Sequence, residues 1–425
     1  MPRQLSVVRN ATLRDGRQVD LLIEGEVVAD VLTAGTAPSA GAEAELDLTG
    51  YVLLTAAADP HAHLDKSRTW ELVNPPFGDL ATAIEQYEAY SSAETGESIA
   101  DRARTTALDM LAHGITAVRS HVNILGGDDP LRGVDAMLRV REELRGLMHI
   151  ELSALGSQDS ATELFAEAVA RGVDLIGGAP HLADDPAAEL DRLLTLAEEL
   201  GCDVDMHTDE SLWGELTIVE LASRAGAWPT AKASAGHCSR LGTLPKEELA
   251  PVIDAIVDAD LGVIALPITN LYLQGWDTPV ATPRGITAVR ELMDAGARVG
   301  AGADNVRDPF NPLGRCDPLE TVSLLVTAAH VSIAEAVSLV SDGSRAVMRL
   351  PEAGAFPGGV ADFLAVKGTS VADVAASADP NRHVIHRGRL VSSTTAVVRT
   401  AAWNPIDPAA SADVARRVTE GKVTA

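Results

Sequence analysis

Cysteine is scarce in this chain of 425 residues, which contains only Cys202, Cys238 and Cys316. Cysteines this few and this scattered do not build a disulfide framework, and they are typical of a reducing compartment, so we expect a cytoplasmic protein. The sequence also lacks any Cys-x-x-Cys pair. That absence excludes the nucleobase deaminases that hold zinc with a Pro-Cys-x-x-Cys motif.

Aromatic residues and positive charge are also in short supply. Aromatics make up 3% of the chain, so alanine, valine and leucine must do most of the packing. The 34 Lys and Arg residues face 61 Asp and Glu residues, which gives a net charge of −27 and argues against nucleic acid or an anionic membrane as partner. No uncharged apolar run reaches membrane-spanning length, and the first residues lack the apolar core of a signal peptide. A small-molecule partner is expected, and a homo-oligomer stays open.

Both ends of the chain carry short strand-like pieces separated by turns. They lie at 5–9, 20–24 and 26–31 near the start, and at 361–366, 383–388 and 390–393 near the end. Neither end is long enough to bury a sheet by itself. We therefore predict that residues 1–50 and 350–425 together form one small β-sandwich domain.

The middle of the chain, residues 51–349, alternates apolar β-branched runs with helix-like segments. Eight such runs occur, at 51–60, 115–122, 149–156, 173–179, 203–206, 232–236, 262–268 and 298–303. The segments between them have apolar residues spaced by three and four, as in helices packed on a core. Eight units of this kind predict an α/β fold, a (β/α)8 TIM barrel. A doubly wound sheet is disfavoured because no phosphate-binding glycine fingerprint opens a helix.

Histidines follow the predicted strands. His61 and His63 end the first run, and residues two apart on a strand point to the same side, so both imidazoles can bind one metal ion. Six of the eleven histidines lie at such strand ends, namely His61, His63, His121, His181, His207 and His237. Catalytic groups of these barrels lie at the carboxyl ends of the strands. The clustering therefore predicts a metal site there.

Four of these strand-end residues form a candidate ligand set for a divalent metal, with three nitrogens, one oxygen and a free position for water. The set is His61, His63, His207 and Asp304. Asp304 could accept the proton of the attacking water, Glu210 could carry it to a leaving nitrogen, and His237 could donate to the oxyanion. Taken singly, His207 reads as a core histidine and Asp304 as a turn residue; their joint order along the barrel favours the metal site.

Several longer motifs carry a resemblance to a known family. In order along the chain they are His61-Ala62-His63-Leu64-Asp65, Arg119-Ser120-His121-Val122, Asp205-Met206-His207-Thr208-Asp209-Glu210, Ala233-Ser234-Ala235-Gly236-His237, Leu273-Gln274-Gly275, Arg284-Gly285-Ile286-Thr287 and Asp308-Pro309-Phe310-Asn311-Pro312-Leu313-Gly314. The chain resembles the amidohydrolase superfamily, and within it the cytosine deaminase-like branch. The resemblance implies the same four metal ligands, a proton-shuttling Glu210, a His237 that contacts the reacting carbonyl edge, and a substrate-amide contact from Gln158.

The resemblance also bears on the number of metal ions. Binuclear relatives hold a second metal with a lysine or glutamate at the end of the fourth strand, and residues 173–181 contain neither. We therefore expect one divalent metal ion per chain, and nitrogen and carboxylate ligands suit Zn²⁺ and Fe²⁺ equally.

The expected activity is hydrolytic deamination of a cytosine-like or related heterocyclic amidine, with release of ammonia. The pattern departs from bacterial cytosine deaminases at Asn305, where those enzymes carry an aspartate, so Asn305 joins Gln158 and His237 as a predicted substrate contact. An alternative is release of a substituted amine from an N-substituted triazine or a cyclic amide. A non-catalytic barrel scaffold is the third interpretation, and the intact ligand set argues against it. Loop aromatics that could wall a flat-ring pocket are Trp70, Trp213, Trp276 and Phe310.

Overall fold

The computed structural model describes residues 2–228 and 233–397. Residues Met1–Thr394 form one compact unit, and Thr395–Ala425 form a second, of which residues 395–397 are described and have no helix or strand. The last part of the predicted terminal domain, residues 398–425, lies outside the described residues.

The strands belong to two sheets. In chain order they are β1 Arg3–Gln4, β2 Val7–Thr12, β3 Gln18–Glu24, β4 Val27–Thr33, β5 Glu45–Asp47, β6 Tyr51–Thr55, β7 Ala57–Ala62, β8 Ile115–Asn123, β9 His149–Leu155, β10 Leu175–Gly178, β11 Asp203–Thr208, β12 Ala233–His237, β13 Gly262–Ala265, β14 Arg298–Ala301, β15 Phe363–Lys367, β16 Arg382–His386 and β17 Arg389–Thr394.

Strands β7 to β14 form an eight-stranded parallel sheet in which each strand pairs with its neighbours in sequence. The first and last strands meet through a parallel bridge between Ala62 and Asp304. The His63 N–H donates to the Asp304 carbonyl, and the Asp304 N–H donates to the His61 carbonyl, both at 3.2 Å. The sheet thus nearly closes on itself, and the predicted (β/α)8 barrel is confirmed.

The helices lie between the barrel strands and after the last of them. They are α1 Trp70–Val73, α2 Leu80–Ser91, α3 Gly96–His113, α4 Arg132–Glu143, α5 Thr162–Arg171, α6 Pro186–Leu200, α7 Thr217–Ala227, α8 Lys246–Asp258, α9 Pro267–Leu273, α10 Val289–Asp294, α11 Pro318–Leu324, α12 Ile333–Ser338, α13 Ser344–Val347 and α14 Val371–Ser377. Short 3₁₀ segments occupy Pro180–Leu182 and Ser239–Thr243, and π-helical segments occupy Leu325–Ala329 and Leu339–Gly343.

Local sequence explains where several of these helices end. Gly114, Gly172 and Gly201 follow α3, α5 and α6 in the left-handed conformation, which glycine adopts without a steric penalty. At the other end of α6 the Asp185 carboxylate accepts from the Ala188 N–H and caps the helix. These signals place the turn into each following barrel strand.

Alanine, valine, leucine and isoleucine build the core between the barrel and its helices, as the low aromatic content predicts. Phe165 is the single aromatic among the buried members of this core within the described residues. Burial of each larger apolar side chain contributes about 1.5–3 kcal/mol relative to exposure. The core therefore holds the barrel rigid beneath the loops at its carboxyl end.

Both ends of the chain contribute to the second sheet, as predicted. Its nine strands are mixed, with β1, β17, β16, β15, β6, β2, β3 and β4 in order and β5 paired to β2. The structure divides the apolar run that we read as a single first barrel strand. Its first half, Tyr51–Thr55, pairs antiparallel with β15 in the mixed sheet, and the barrel begins at Ala57. Within the described residues no helix is both long and apolar enough to span a membrane.

Candidate metal and catalytic site

Three histidines from two opposite strands converge at the carboxyl end of the barrel. His61 and His63 come from β7 and its end, and His207 comes from β11. The Nε2 atom of His207 lies 3.2 Å from His61 Nε2 and 3.1 Å from His63 Nε2. Nitrogens bound to one zinc at about 2.0–2.1 Å in tetrahedral geometry would be about 3.3 Å apart. The spacing of the three nitrogens therefore fits a shared metal ion.

Asp304 completes this group from the residues that follow β14. Its Oδ1 atom lies 3.3 Å from His63 Nε2. The side chain is 1% exposed, and neither carboxylate oxygen has a hydrogen-bond partner in the described part of the chain. A buried carboxylate without donors is costly, and a cation is the group that would satisfy it. The four predicted ligands thus lie together and fit a divalent metal.

The protonation states of His63 and His207 suit this role. Burial lowers the pKa of His63 and His207 well below the ordinary value, so both imidazoles are neutral, as metal ligands must be. Burial raises the pKa of Asp304 to about 8, and the nearby His61 offsets only part of that shift. A bound cation would reverse that shift and keep the carboxylate ionised.

A second acidic residue, Asp205, contacts His61 on the ring nitrogen that faces away from the candidate metal position. Asp205 Oδ2 lies 3.1 Å from His61 Nδ1 and 3.0 Å from His121 Nε2, and Asp205 Oδ1 accepts from the Ser234 hydroxyl at 2.7 Å. A carboxylate on Nδ1 fixes the histidine tautomer that leaves Nε2 for the metal. Gly236 provides the space, because a Cβ atom there would lie 2.6 Å from His61 Cε1. His61, His121 and Asp205 could also hold an ion by themselves. Asp205 would then no longer hydrogen-bond to His61 Nδ1.

Glu210 and His237 lie beside the four ligands. Glu210 Oε1 is 3.4 Å from His237 Nδ1, and its Oε2 is 3.8 Å from His181 Nε2. Burial alone would raise the pKa of Glu210, but His237 and His181 outweigh it and lower that pKa, so the carboxylate is ionised. This places a proton acceptor within the site.

His237 is oriented as a neutral donor. The Asn270 side-chain nitrogen lies 3.0 Å from His237 Nδ1, and a hydrogen bond donated by this amide would leave the proton of the imidazole on Nε2. Burial lowers the pKa of His237 to about 3, which keeps the ring neutral. Its Nε2 atom is buried and has no partner within the described residues, and it lies 3.9 Å from Asp304 Oδ2. This N–H is free to donate to a ligand.

Two site residues have strained backbones. His237 and Asp304 have φ values of 67° and 59°, in the left-handed region that residues other than glycine rarely adopt. Such conformations cost about 1–3 kcal/mol each and cluster at functional sites, where the fold maintains them. His237 ends β12 and Asp304 lies three residues after the end of β14, so both strained residues lie at the carboxyl end of the barrel.

A cavity of about 780 Å³ opens above these groups. Asn305 is buried in its wall and donates through Nδ2 to Asp308 Oδ2 at 2.9 Å. Gln158 also lines the cavity but is exposed at its rim, where its amide bonds to Asp184 through both Oε1 and Nε2. The structure therefore brings Asn305 close to the ligand group and leaves Gln158 at the edge.

The predicted loop aromatics also differ in whether they line the cavity. Phe310 is buried in the cavity wall, whereas Trp213 and Trp276 are 59% and 47% exposed and are absent from the cavity lining of the described residues. Asp205 and Lys66 were not among the predicted site residues. Asp205 lies two residues before His207 on the same strand, so the alternation that placed His207 inside the barrel could have identified it.

Known proteins resemble this chain in sequence and in fold. The sequence is 29% identical to the pterin deaminase of Rhizobium rhizogenes over 391 residues, which cover 88% of each chain. The fold is similar to the crystal structure of 5-methylcytosine deaminase from Klebsiella pneumoniae liganded with phosphonocytosine, with a TM-score of 0.82 and 23% identity over 93% of this chain and 100% of that one. It is also similar to N-isopropylammelide isopropylaminohydrolase from Burkholderia multivorans, with a TM-score of 0.77 and 25% identity over 92% and 99% of the two chains.

The sequence also matches the profile of a whole protein family. The profile of the Amidohydrolase family matches residues 77–392, which is more than half of the chain. The resemblance inferred from the motifs is thereby confirmed, and the protein is a hydrolase of carbon–nitrogen bonds other than peptide bonds. The chain belongs to the amidohydrolase family.

Proposed function

We propose that this amidohydrolase uses one divalent metal ion to release ammonia from a heterocyclic amidine of the cytosine or pterin type. The observation that carries the proposal is the approach of three histidine Nε2 atoms and one unpartnered carboxylate beside an ionised Glu210. His61, His63, His207 and Asp304 would hold Zn²⁺ or Fe²⁺. The bound ion would supply the Lewis acidity that makes water a nucleophile near neutral pH.

The overall reaction adds one water and removes one ammonia. The water oxygen forms a bond to the amidine carbon, and the bond from that carbon to the exocyclic nitrogen breaks. One hydrogen of the water leaves with the amino group as ammonia, and the other stays on the ring nitrogen. Glu210 is ionised and buried among histidines, so it can take a proton from the water side and return it to the leaving nitrogen.

His237 and Asp304 would act on the new carbon–oxygen bond. The His237 Nε2–H has no partner within the described residues and is free to donate to the oxygen as negative charge develops on it. Asp304 has a second oxygen, Oδ2, on the side of His237, and it can accept the proton of the attacking water. The proposed catalytic residues are therefore Glu210, His237 and Asp304.

The cavity supports a substrate that is larger than one six-membered ring. Its volume of about 780 Å³ falls within the range of small-molecule sites, about 300–1,000 Å³. A bicyclic aminopteridine would fill it better than a pyrimidine, and the similarity to a pterin deaminase supports the same choice. Asn305 and His237 line the cavity and would contact the substrate there. Gln158 would contact the substrate only after giving up its hydrogen bonds to Asp184.

Release of a substituted amine is the second candidate. Part of the cavity wall is apolar and consists of Leu125, Leu155, Leu164 and Leu182. An N-alkyl group on a triazine would find space against this wall, and the similarity to an N-isopropylammelide isopropylaminohydrolase supports it. The scaffold interpretation has no support from the site, since each predicted ligand is present.

Three further expectations remain proposals. We propose that residues 1–50 with 350–425, and residues 51–349, are separate domains of one chain, except that Tyr51–Thr55 pairs into the sheet of the first domain. We also propose a cytoplasmic location, which is supported by three cysteines that are all buried and unpaired. Finally, we propose that the chain can assemble into a homo-oligomer.

A substrate screen tests the activity. Protein loaded with Zn²⁺ or Fe²⁺ is incubated with cytosine, pterin and N-isopropylammelide, and ammonia and isopropylamine are measured against a chelator-treated control. Ammonia from cytosine or pterin, lost on chelation and restored by metal, supports the proposal. Isopropylamine alone would favour the second candidate, and no product from any ring with stoichiometric metal bound would refute both.

A further inference from the structure

A buried positive charge faces the cavity and has no place in the reaction outlined above. Lys66 follows the first barrel strand, three residues after His63, and its side chain is 4% exposed. It lines the same cavity as His63, Glu210 and Asp304. A solvated lysine is the ordinary expectation for a loop, so this degree of burial requires an explanation.

The Lys66 ammonium has no hydrogen bond and no ion pair within the described residues. The neighbouring carboxylates have other donors: Asp65 Oδ2 accepts from the Asn123 N–H at 2.8 Å, and Asp308 Oδ2 accepts from the Asn305 amide at 2.9 Å. Instead, the Lys66 nitrogen lies 4.3 Å from the centre of the Phe310 ring.

The Asp65 and Asp308 carboxylates offset part of the ammonium charge electrostatically, but neither accepts a hydrogen bond from it within the described residues. A buried charge is costly unless it is paired and hydrogen-bonded. The faces of Phe310 and, at 5.4 Å, Tyr87 attract a cation but accept no ordinary hydrogen bond from it. All three ammonium protons are therefore available to a ligand in the cavity.

The position of Lys66 relative to Glu210 restricts what that ligand is. Lys66 follows β7, the first barrel strand, and Glu210 follows β11, the fifth of eight in a nearly closed ring. The two side chains therefore approach the metal ligands from opposite sides of the barrel. A flat ring whose amino group faces Glu210 can present another part of its edge to Lys66, since both residues line the same cavity.

We propose that Lys66 is the specificity-determining contact for a carbonyl oxygen on the substrate ring, carried by the carbon on the other side of the ring nitrogen that flanks the reacting carbon. This inference rests on the proposed deaminase activity and names the substrate class more closely. The favoured rings carry both an amino and an oxo group, as in 4-amino-2-oxopyrimidines and 2-amino-4-oxopteridines.

The chemistry of the attack explains why a cation would be placed there. Addition of the water oxygen to the C=N bond leaves an electron pair on the ring nitrogen. When that nitrogen is attached to a carbonyl carbon, the negative charge spreads onto the carbonyl oxygen. An ammonium that donates to this oxygen binds it more strongly in the transition state than in the substrate, so it contributes to turnover as well as to binding.

Two pairs of rings that differ only in the oxo group test the inference. Cytosine is compared with 4-aminopyrimidine, and pterin with 2-aminopteridine, on wild-type protein, Lys66→Met and Lys66→Arg. Methionine keeps an unbranched side chain and removes the charge. We expect Lys66→Met to lower kcat/KM about ten- to hundredfold on the oxo member of a pair and to leave the member without it unchanged. Lys66→Arg should recover part of the loss.

The controls separate this role from a structural one. Lys246→Met removes an exposed lysine at the start of α8 and should change neither substrate. Equal losses on both members of a pair, with wild-type metal content and unfolding midpoint, would overturn the inference. If Lys66→Met does not fold, equal kcat/KM values of the wild-type protein for both members would overturn it. Failure of the wild-type protein to act on any of the four rings is a separate result, which refutes the proposed deaminase activity and this inference with it.

Discussion

Removal of the negative charge of Glu210 is expected to abolish most turnover and to leave the metal in place. The Glu210 side chain is 3% exposed, and its oxygens lie 3.4 Å from His237 Nδ1 and 3.8 Å from His181 Nε2. Glutamine has nearly the same shape, so Glu210→Gln should fit the same space. It cannot take up and return a proton, however, and the proposed transfer to the leaving nitrogen would stop.

The size of the effect follows from what such groups contribute. A positioned acid–base group accelerates a reaction about 10²- to 10⁴-fold, which corresponds to about 2.7–5.4 kcal/mol of activation free energy. His237 and His181 lower the pKa of Glu210, so the acceptor form is already populated at neutral pH and the whole contribution should be lost. Since Glu210 is not a proposed ligand, metal affinity should change little.

The assay is steady-state kinetics on the best substrate of the screen, with metal per chain measured on the same samples. Glu215→Gln is the matched control, because Glu215 is exposed in the same loop, and it should retain wild-type rates. A Glu210→Gln enzyme within about threefold of the wild-type kcat would refute the assigned role. Loss of the metal in Glu210→Gln would show that the side chain supports the ligand group instead.

Two further substitutions test the support of the site and of the fold. Asp205→Asn removes the carboxylate shared by His61 and His121 and should weaken metal binding about 10- to 100-fold, measured by competition with a chelator; unchanged affinity would contradict the positioning role. Burial raises the pKa of Asp362, but His386 and then Arg345, each 3.1 Å away, outweigh it and hold that pKa below its ordinary value of 3.8. The stabilisation from Asp362 is therefore present above that pH and is lost as the pH falls through the lower folded value. Asp362→Asn should therefore cost about 3–5 kcal/mol at neutral pH in denaturant unfolding and flatten the acid limb, and an unchanged midpoint would argue against this pairing.

The barrel was predictable because its strands are local features of the sequence. Parallel strands buried on both faces are short continuous apolar runs, and glycines such as Gly114 and Gly172 mark the helix ends between them. The convergence of the candidate ligands was predictable for a related reason: strand ends fix which side chains reach the barrel mouth, and His207 and Asp304 both lie there.

Features that depend on long-range pairing were not predictable in the same way. The apolar run from Tyr51 reads as one strand, yet Tyr51–Thr55 pairs with β15, more than 300 residues later in the chain. Nothing local marks the division at Ala56, since no glycine, proline or charged residue separates Thr55 from Ala57. The burial of Lys66 was not predictable either, because the cavity that buries it includes helix α2 and the loop of Phe310, whose positions come from tertiary packing.

The contacts that close the barrel also bring the candidate metal ligands together. Asp304 bridges to Ala62 through the backbone, and its carboxylate joins His63 through the proposed metal. The buried Asp59 carboxylate adds a further link, since it accepts from the His61 N–H at 3.3 Å and from the Ala303 N–H at 3.0 Å. Residues some 240 positions apart are thus held together by the bonds that also aim their side chains. A metal bound there binds only the closed barrel, so its binding free energy adds to the stability of that closure.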